Sequence, residues 1–127
     1  MNETFMILGV GIDIIEISRV EKACKKDAFL KRCYTEAEIH NTRHSPASLA
    51  GNFAVKEAVA KVFGTGFRGF GPDSIEVLRD ELGKPYVNLY KGAKKKAWEL
   101  GIDKIHVSIS NTKDTAVAMA VGEKSDK

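Results

Sequence analysis

The sequence lacks the features that mark several classes of protein. No apolar run approaches the roughly 20 residues that a membrane-spanning helix needs, since the longest runs, such as residues 6–8 and 116–121, are far shorter. Asn2 and Glu3 do not form the basic start of a secretory signal peptide. We therefore expect a cytoplasmic protein that does not enter a membrane.

Cysteine and net charge are also scarce. Cys24 and Cys33 are the only cysteines, and no CxxC or Cys/His spacing around them indicates a zinc site or a redox pair. Twenty basic and seventeen acidic residues give a formal net charge of +3, which is too small to indicate nucleic-acid binding. Positive charge gathers within residues 22–32 and 91–96; a solvated helix face is the simplest interpretation of the second cluster, whereas the first is equally open to a functional interpretation.

Length and composition predict one domain with one hydrophobic core. The chain has 127 residues, of which 43% are hydrophobic and 29% are charged. A chain of this size buries roughly two thirds of its unfolded surface, so a deep active site would compete with the core for space. This size favours a site between subunits. We expect the domain to span residues 1–122 and residues 123–127 to form a disordered tail.

The pattern of apolar and turn residues predicts an α+β fold. Thr35 and Glu38 form a capping box, Ser45 and Pro46 open a long helix, and Gly64 ends it. The predicted order is strand 5–15, helix 16–26, helix 35–40, helix 46–63, loop 65–72, hairpin 75–89, helix 91–100 and strands 104–109 and 116–121. This order favours a mainly antiparallel sheet packed against the long helix over a doubly wound parallel sheet.

Asp13 lies near the end of the first predicted strand, between isoleucines. A carboxylate that is partly removed from water needs a partner. That partner is either Arg19 or the start of the next helix in one interpretation, and a hard cation such as Mg²⁺ in the other. Spacing alone leaves both interpretations open.

Glu57 lies in the middle of the long helix and admits two interpretations. It forms an i, i+4 pair with Lys61, which would stabilise an exposed helix face. However, Lys56, Glu57 and Lys61 lie among small and apolar residues, and Gly64-Thr65-Gly66 follows directly. Free backbone N–H groups of such a loop can meet phosphate oxygens, although these glycines match neither a P-loop nor a dinucleotide fingerprint. The combination favours a metal and diphosphate site.

Five motifs follow one another along the chain. They are Gly9-Val10-Gly11-Ile12-Asp13 with Arg19, Phe53-Ala54-Val55-Lys56-Glu57-Ala58, Lys61 with Gly64-Thr65-Gly66, Gly83-Lys84-Pro85, and His106-Val107-Ser108-Ile109-Ser110. In this order, from about residue 6 to residue 122, the chain resembles the holo-acyl-carrier-protein synthases, which are small 4′-phosphopantetheinyl transferases. The resemblance implies a cytoplasmic enzyme of fatty acid biosynthesis. It would transfer the 4′-phosphopantetheine arm of coenzyme A to a serine of apo acyl carrier protein, releasing adenosine 3′,5′-bisphosphate.

The resemblance also implies roles for individual residues. Asp13 and Glu57 would hold Mg²⁺, and Lys56 and Lys61 would lie near the phosphates of coenzyme A. The residues that would shape the nucleotide site are Gly64, Thr65, Gly66, Lys84, Pro85 and Asn111. The residues that would face the acidic carrier protein are Arg19, Lys22 and Lys26. The family is typically a homotrimer with active sites between protomers.

The catalytic groups would be Glu57 and Lys61. The attacking serine must lose its proton, and Glu57 or a metal-bound water would accept it. We favour the water, because a carboxylate that binds Mg²⁺ tightly is a poorer base than a free one.

The chain departs from the family pattern at two positions. Asn52 stands where the family commonly has an arginine, so a positive charge that could hold a phosphate is absent, although Arg43 or Lys113 could compensate for lost charge. Asn111 stands where the family often has a histidine, and an amide cannot carry a proton at neutral pH. These departures support an alternative, a nucleotide- or carrier-binding module without catalysis. A small metal-dependent nucleotide pyrophosphatase is a second alternative.

Overall fold

The computed structural model describes residues 4–126, which form five α-helices and five strands, besides one 3₁₀ turn (Pro72–Ser74). In chain order they are β1 (Thr4–Glu16), α1 (Ile17–Cys24), α2 (Asp27–Cys33), α3 (Glu36–Thr42), α4 (Pro46–Phe63), β2 (Ile75–Arg79), β3 (Pro85–Leu89), α5 (Lys91–Leu100), β4 (Lys104–Asn111) and β5 (Thr115–Asp126). The predicted α+β class is confirmed. Within the described residues, no helix combines the length and apolar character that a membrane crossing requires.

The strands form two antiparallel sheets instead of one. β1, β5 and β4 make a three-stranded sheet in that order, and β2 and β3 make a separate hairpin. The main hydrophobic core lies between α4 and both sheets, with α5 closing one side. A smaller core lies between α4 and the pair α1 and α2. The long helix therefore contacts every layer of the molecule.

Local sequence signals set the ends of the helices. The Ser45 side chain accepts the N–H of Ser48 at 3.3 Å at the start of α4, and Gly64 ends this helix in the left-handed conformation at φ 77°. The predicted capping box of Thr35 and Glu38 is present at α3. The seven-residue helix α2 was not predicted, because two turns are too short to show a clear apolar period.

Small residues let β1 and β5 lie directly against α4. A Cβ atom added to Gly9 would lie 2.6 Å from the carbonyl oxygen of Val62, and one added to Gly11 would overlap the carbonyl of Ala58. Gly122 of β5 also has no room for a side chain, since its Cβ would lie 2.7 Å from a methyl group of Val62. Glycines within a strand indicate that it passes close to another backbone or to a ligand, and here Gly9 and Gly11 approach the backbone of α4.

The expected disordered tail is wrong for residues 123–126. β5 continues to Asp126, and its last residues pair with the start of β1, for example Glu123 with Ile7. Ser125 donates its hydroxyl to Asp103 at 2.9 Å. The charged composition suggested a solvated segment, but its backbone hydrogen-bonds to β1. Lys127 lies outside the described residues.

We predict that Gly11→Ala destabilises the protein by about 3 kcal/mol, because the new methyl group would force β1 away from α4. The free energy of unfolding in urea measures this effect. Gly71→Ala is the matched control, since its Cβ would meet only the exposed side-chain carboxylate of Asp73, at 3.0 Å. Equal stability of the two variants would contradict the close β1–α4 contact.

Candidate active site

The β1–α4 contact brings Asp13, Glu57 and Lys61 together. Lys61 Nζ lies 3.3 Å from Asp13 Oδ1 and donates to the carbonyl oxygen of Ile12 at 2.8 Å. Partial burial, and then the neighbouring carboxylate of Asp13, raise the pKa of Glu57, whereas Lys61 opposes this shift. Asp13 thus pairs with Lys61 and not with Arg19. The Asp13 side chain is 18% exposed and that of Lys61 is 53% exposed, so the group opens to solvent.

The two carboxylates line an open cleft of about 370 Å³. Arg19 of α1 lies at its edge, and Phe29 and Phe53 contribute an apolar wall. The cleft therefore combines two negative groups with one positive group and an apolar surface, as a site for a large, charged substrate requires.

Asp13 and Glu57 fit a magnesium ion. Mg²⁺ is bound in proteins through one or two carboxylates, and water and substrate phosphates fill its other positions. In residues 4–126 no group of three or more His, Cys, Asp or Glu side chains could hold a metal, so the protein offers two ligands at most here. Partial burial is the larger cause of the raised pKa of Glu57, and repulsion from Asp13 is the smaller one; a divalent cation between the carboxylates would oppose both effects.

Lys56 does not lie in this cleft, and its expected contact with phosphate is wrong. Its side chain is 0% exposed and pairs with Glu38 at 2.7 Å. It also donates to the carbonyl oxygens of Pro72, at 3.0 Å, and Ile75, so its three N–H donors are used. Burial lowers the pKa of Lys56 and raises that of Glu38, and each charge opposes the shift of the other. Successive helical residues point about 100° apart, and Lys56 faces away from the neighbouring Glu57.

The glycine loop begins at the end of α4, just beyond Lys61, but the backbone N–H of Gly64 is not free. Its amide donates to carbonyl oxygens in the last turn of α4, at 3.0 and 3.2 Å, so Gly64 cannot supply the free N–H expected of this loop, whereas its part in shaping a nucleotide site stays a prediction. Within residues 4–126, the amides of Thr65 and Gly66 donate to no protein acceptor. Phe67 and Phe70 pack edge-to-face 5.7 Å apart and anchor the loop on the core.

Asn52 also faces the protein interior. Its Nδ2 donates to the carbonyl oxygen of Val77 at 3.0 Å and to Glu38 at 3.3 Å, and its Oδ1 accepts from Arg79 at 2.9 Å. The cation beside Asn52 is therefore Arg79, whereas compensation for lost charge by Arg43 or Lys113 stays a prediction. No sequence motif had marked Arg79.

The remaining predicted residues lie outside the cleft of their own chain. Lys84 and Pro85 lie at the start of β3, where the Lys84 amide donates to Asp80 at 2.9 Å. Asn111 is exposed at the end of β4 and donates to the carbonyl oxygen of Thr112 at 3.1 Å. Lys22 and Lys26 are exposed and do not line the cleft.

Comparison with known proteins identifies the family. The sequence model described as the 4′-phosphopantetheinyl transferase superfamily matches residues 9–120. The chain belongs to this superfamily. The holo-[acyl-carrier-protein] synthase of Lachnoclostridium phytofermentans is 55% identical over 118 residues, which cover 93% of this chain and 97% of the relative. The predicted resemblance is confirmed, and the chain is a transferase of the holo-acyl-carrier-protein synthase type.

Solved structures of holo-acyl-carrier-protein synthases share the fold. The Plasmodium yoelii acyl carrier protein synthase with ADP bound has a TM-score of 0.87 at 33% identity, covering 97% of this chain and 99% of that one. The Helicobacter pylori synthase in complex with coenzyme A has a TM-score of 0.79 at 32% identity, covering 89% and 98%. The transferase fold is therefore present across the described residues.

We predict that removing Lys56 lowers the stability of the protein far more than removing Lys61. Lys56→Met leaves Glu38 buried without its partner and should cost about 3–5 kcal/mol. Lys61→Met removes an exposed pair with Asp13 and should change stability by less than about 1 kcal/mol. Urea denaturation followed by circular dichroism measures both. If Lys56→Met unfolds at the wild-type urea concentration, the buried ion pair is not structural.

Proposed function

We propose that this transferase moves the 4′-phosphopantetheine arm of coenzyme A to a serine of apo acyl carrier protein in the cytoplasm, for fatty acid biosynthesis. The observation that carries this proposal is the pair Asp13 and Glu57, facing an open cleft beside Lys61 on the holo-acyl-carrier-protein synthase fold. The relatives' names supply the carrier protein, and a structural neighbour is described in complex with coenzyme A.

Asp13 and Glu57 would hold Mg²⁺, which when bound supplies charge neutralisation for the diphosphate of coenzyme A. The half-exposed ammonium of Lys61 would contact a phosphate oxygen and stabilise the charge of the transition state. The free amides of Thr65 and Gly66, in the loop that follows the last turn of α4, would add uncharged N–H donors to the phosphate oxygens. The reaction thus depends mainly on positioning and electrostatics.

The serine oxygen of the carrier would attack the β-phosphorus, and the bond to the bridging oxygen would break, releasing adenosine 3′,5′-bisphosphate. The serine proton must also leave. Glu57 is a poor acceptor while it binds a cation, and Asn111 cannot accept a proton at neutral pH. We therefore assign the proton to water.

The basic face of α1 fits an acidic carrier protein. This helix buries Ile17 and Val20 and leaves Arg19 and Lys22 exposed, with Lys26 just beyond its end. Because Arg19 also lines the cleft, a carrier bound along this face would present its serine near the carboxylates. Complementary charge would speed this encounter.

We also propose that the protein is a homotrimer. The sheet face opposite α4 carries Val10, Ile12 and Ile14, which are 57–68% exposed, beside the exposed Met119. An apolar patch of this kind marks an interaction surface. Lys84 and Asn111 lie outside the cleft of their own chain, which agrees with a nucleotide site that a second protomer completes.

The proposed transfer is tested by measuring the mass of the carrier protein. The protein is incubated with coenzyme A, Mg²⁺ and an apo carrier, and the carrier is weighed by mass spectrometry. We expect the mass of one phosphopantetheine group to be added, and Asp13→Asn and Glu57→Gln each to slow transfer by at least about 100-fold. Glu99→Gln, an exposed carboxylate on α5, is the control and should stay active. An unmodified carrier would refute transfer, and consumption of coenzyme A without a carrier would indicate a pyrophosphatase.

For the trimer, Val10→Lys should produce monomers, because an unpaired charge would be buried in the interface. Light scattering coupled to size-exclusion chromatography gives the mass. Trp98→Lys is the control, since Trp98 is 82% exposed on α5, away from the sheet face, and this variant should remain trimeric. A monomeric wild-type protein would exclude the proposed assembly.

A further inference from the structure

Arg79 is the only half-buried arginine of residues 4–126, and the other arginines there are exposed. It ends β2, and its guanidinium lies against the first turns of α4. Its Nη2 donates to Asn52 Oδ1 at 2.9 Å and lies 3.5 Å from the carbonyl oxygen of Ser48. A Cβ added to Gly51 would lie 3.2 Å from the same nitrogen. The helix therefore holds this guanidinium in one place.

The positive charge of Arg79 is not neutralised within the described chain. No carboxylate of residues 4–126 forms an ion pair with it, and burial lowers its pKa. Asn52 contributes a neutral oxygen. The side-chain nitrogen of Asn52 donates to Val77 and Glu38, so its side-chain oxygen must face Arg79. Glu38 does not neutralise Arg79, because its charge is already paired with Lys56. The result is a partly desolvated cation with unused N–H donors.

This environment suits a phosphate group. A partly buried cation is costly unless an anion accompanies it, and the planar guanidinium binds phosphate through two parallel hydrogen bonds. Arg79 pairs with Pro85 across the β2–β3 hairpin, so the exposed Lys84 adds a second cation at the same end. Asp80 does not compete, because its carboxylate accepts the amides of Leu82 and Lys84 at 2.9 Å and closes the turn.

We propose that Arg79, positioned by Asn52, binds the phosphomonoester on the ribose of coenzyme A. The inference rests on the proposed function, which places the diphosphate of the same nucleotide beside Asp13, Glu57 and Lys61. Asn52 and Arg79 lie on the β2 side of α4, whereas those three residues lie on the β1 side. Since the diphosphate is bound on the β1 side, the remaining phosphate of coenzyme A, the monoester on the ribose, is the one that Arg79 would bind.

The test compares coenzyme A with 3′-dephospho-coenzyme A, which lacks only this phosphate. Isothermal titration calorimetry in the presence of Mg²⁺ gives both affinities. The wild-type protein should prefer coenzyme A, and Arg79→Gln should lose roughly 10- to 100-fold in affinity for coenzyme A and little for the dephospho form. Lys95→Gln, which removes one exposed positive charge from α5, should keep the wild-type preference.

Equal losses for the two ligands, an unchanged preference in folded Arg79→Gln, or no preference in the wild-type protein would each overturn the proposal. If Arg79→Gln does not fold, Arg79→Lys serves instead. Lysine keeps the positive charge but lacks the planar guanidinium, so this variant should prefer coenzyme A over the dephospho form less strongly than the wild type does. An unchanged preference would overturn the proposal. A wild-type protein that fails to modify the carrier refutes the proposed function, whereas an active enzyme with an unchanged preference refutes only the role of Arg79.

Discussion

The backbone contact between β1 and α4 is the constraint on which the candidate active site depends. Gly9 and Gly11 leave no space for a side chain between the strand and the helix. Asp13 follows Gly11 by two residues on the same face of β1, and Glu57 directly precedes Ala58, whose carbonyl meets Gly11. The separation of the carboxylates is thus set by main-chain packing, which is more rigid than contact through long side chains.

The opposite side of α4 is organised by buried polar groups. Glu38 caps α3 and pairs with Lys56, and Asn52 links Glu38 to Arg79. A buried ion pair is weak evidence for stability in itself, since desolvation opposes the attraction, but loss of one partner is costly. Here the network fixes α3, β2 and the turn before β2 to one helix. Lys56 and Glu57 are neighbours in sequence, yet one orders the interior and the other faces the cleft.

Features with local signals were predictable from the sequence, and features that depend on distant partners were not. Ser45, Pro46 and Gly64 define the ends of α4 through hydrogen bonds within a few residues. The glycines of β1 indicated a close approach without showing which backbone was approached. The burial of Lys56 depends on Glu38, eighteen positions away, and that of Arg79 depends on α4. Residues 123–126 looked like a tail because their strand partner lies at the other end of the sequence.

The pairing of β1 with β5 has a consequence for how the protein is made. Thr4 pairs with Asp126 and Glu16 with Thr115, so the strand that pairs with β1 is the last strand of residues 4–126 to leave the ribosome. Until then, the apolar face of β1 has no sheet to join, and the helices that follow it have only part of their core. Such non-local pairing slows folding and exposes an unpaired strand edge during synthesis. The geometry that places the carboxylate pair is therefore completed only after translation has passed residue 126.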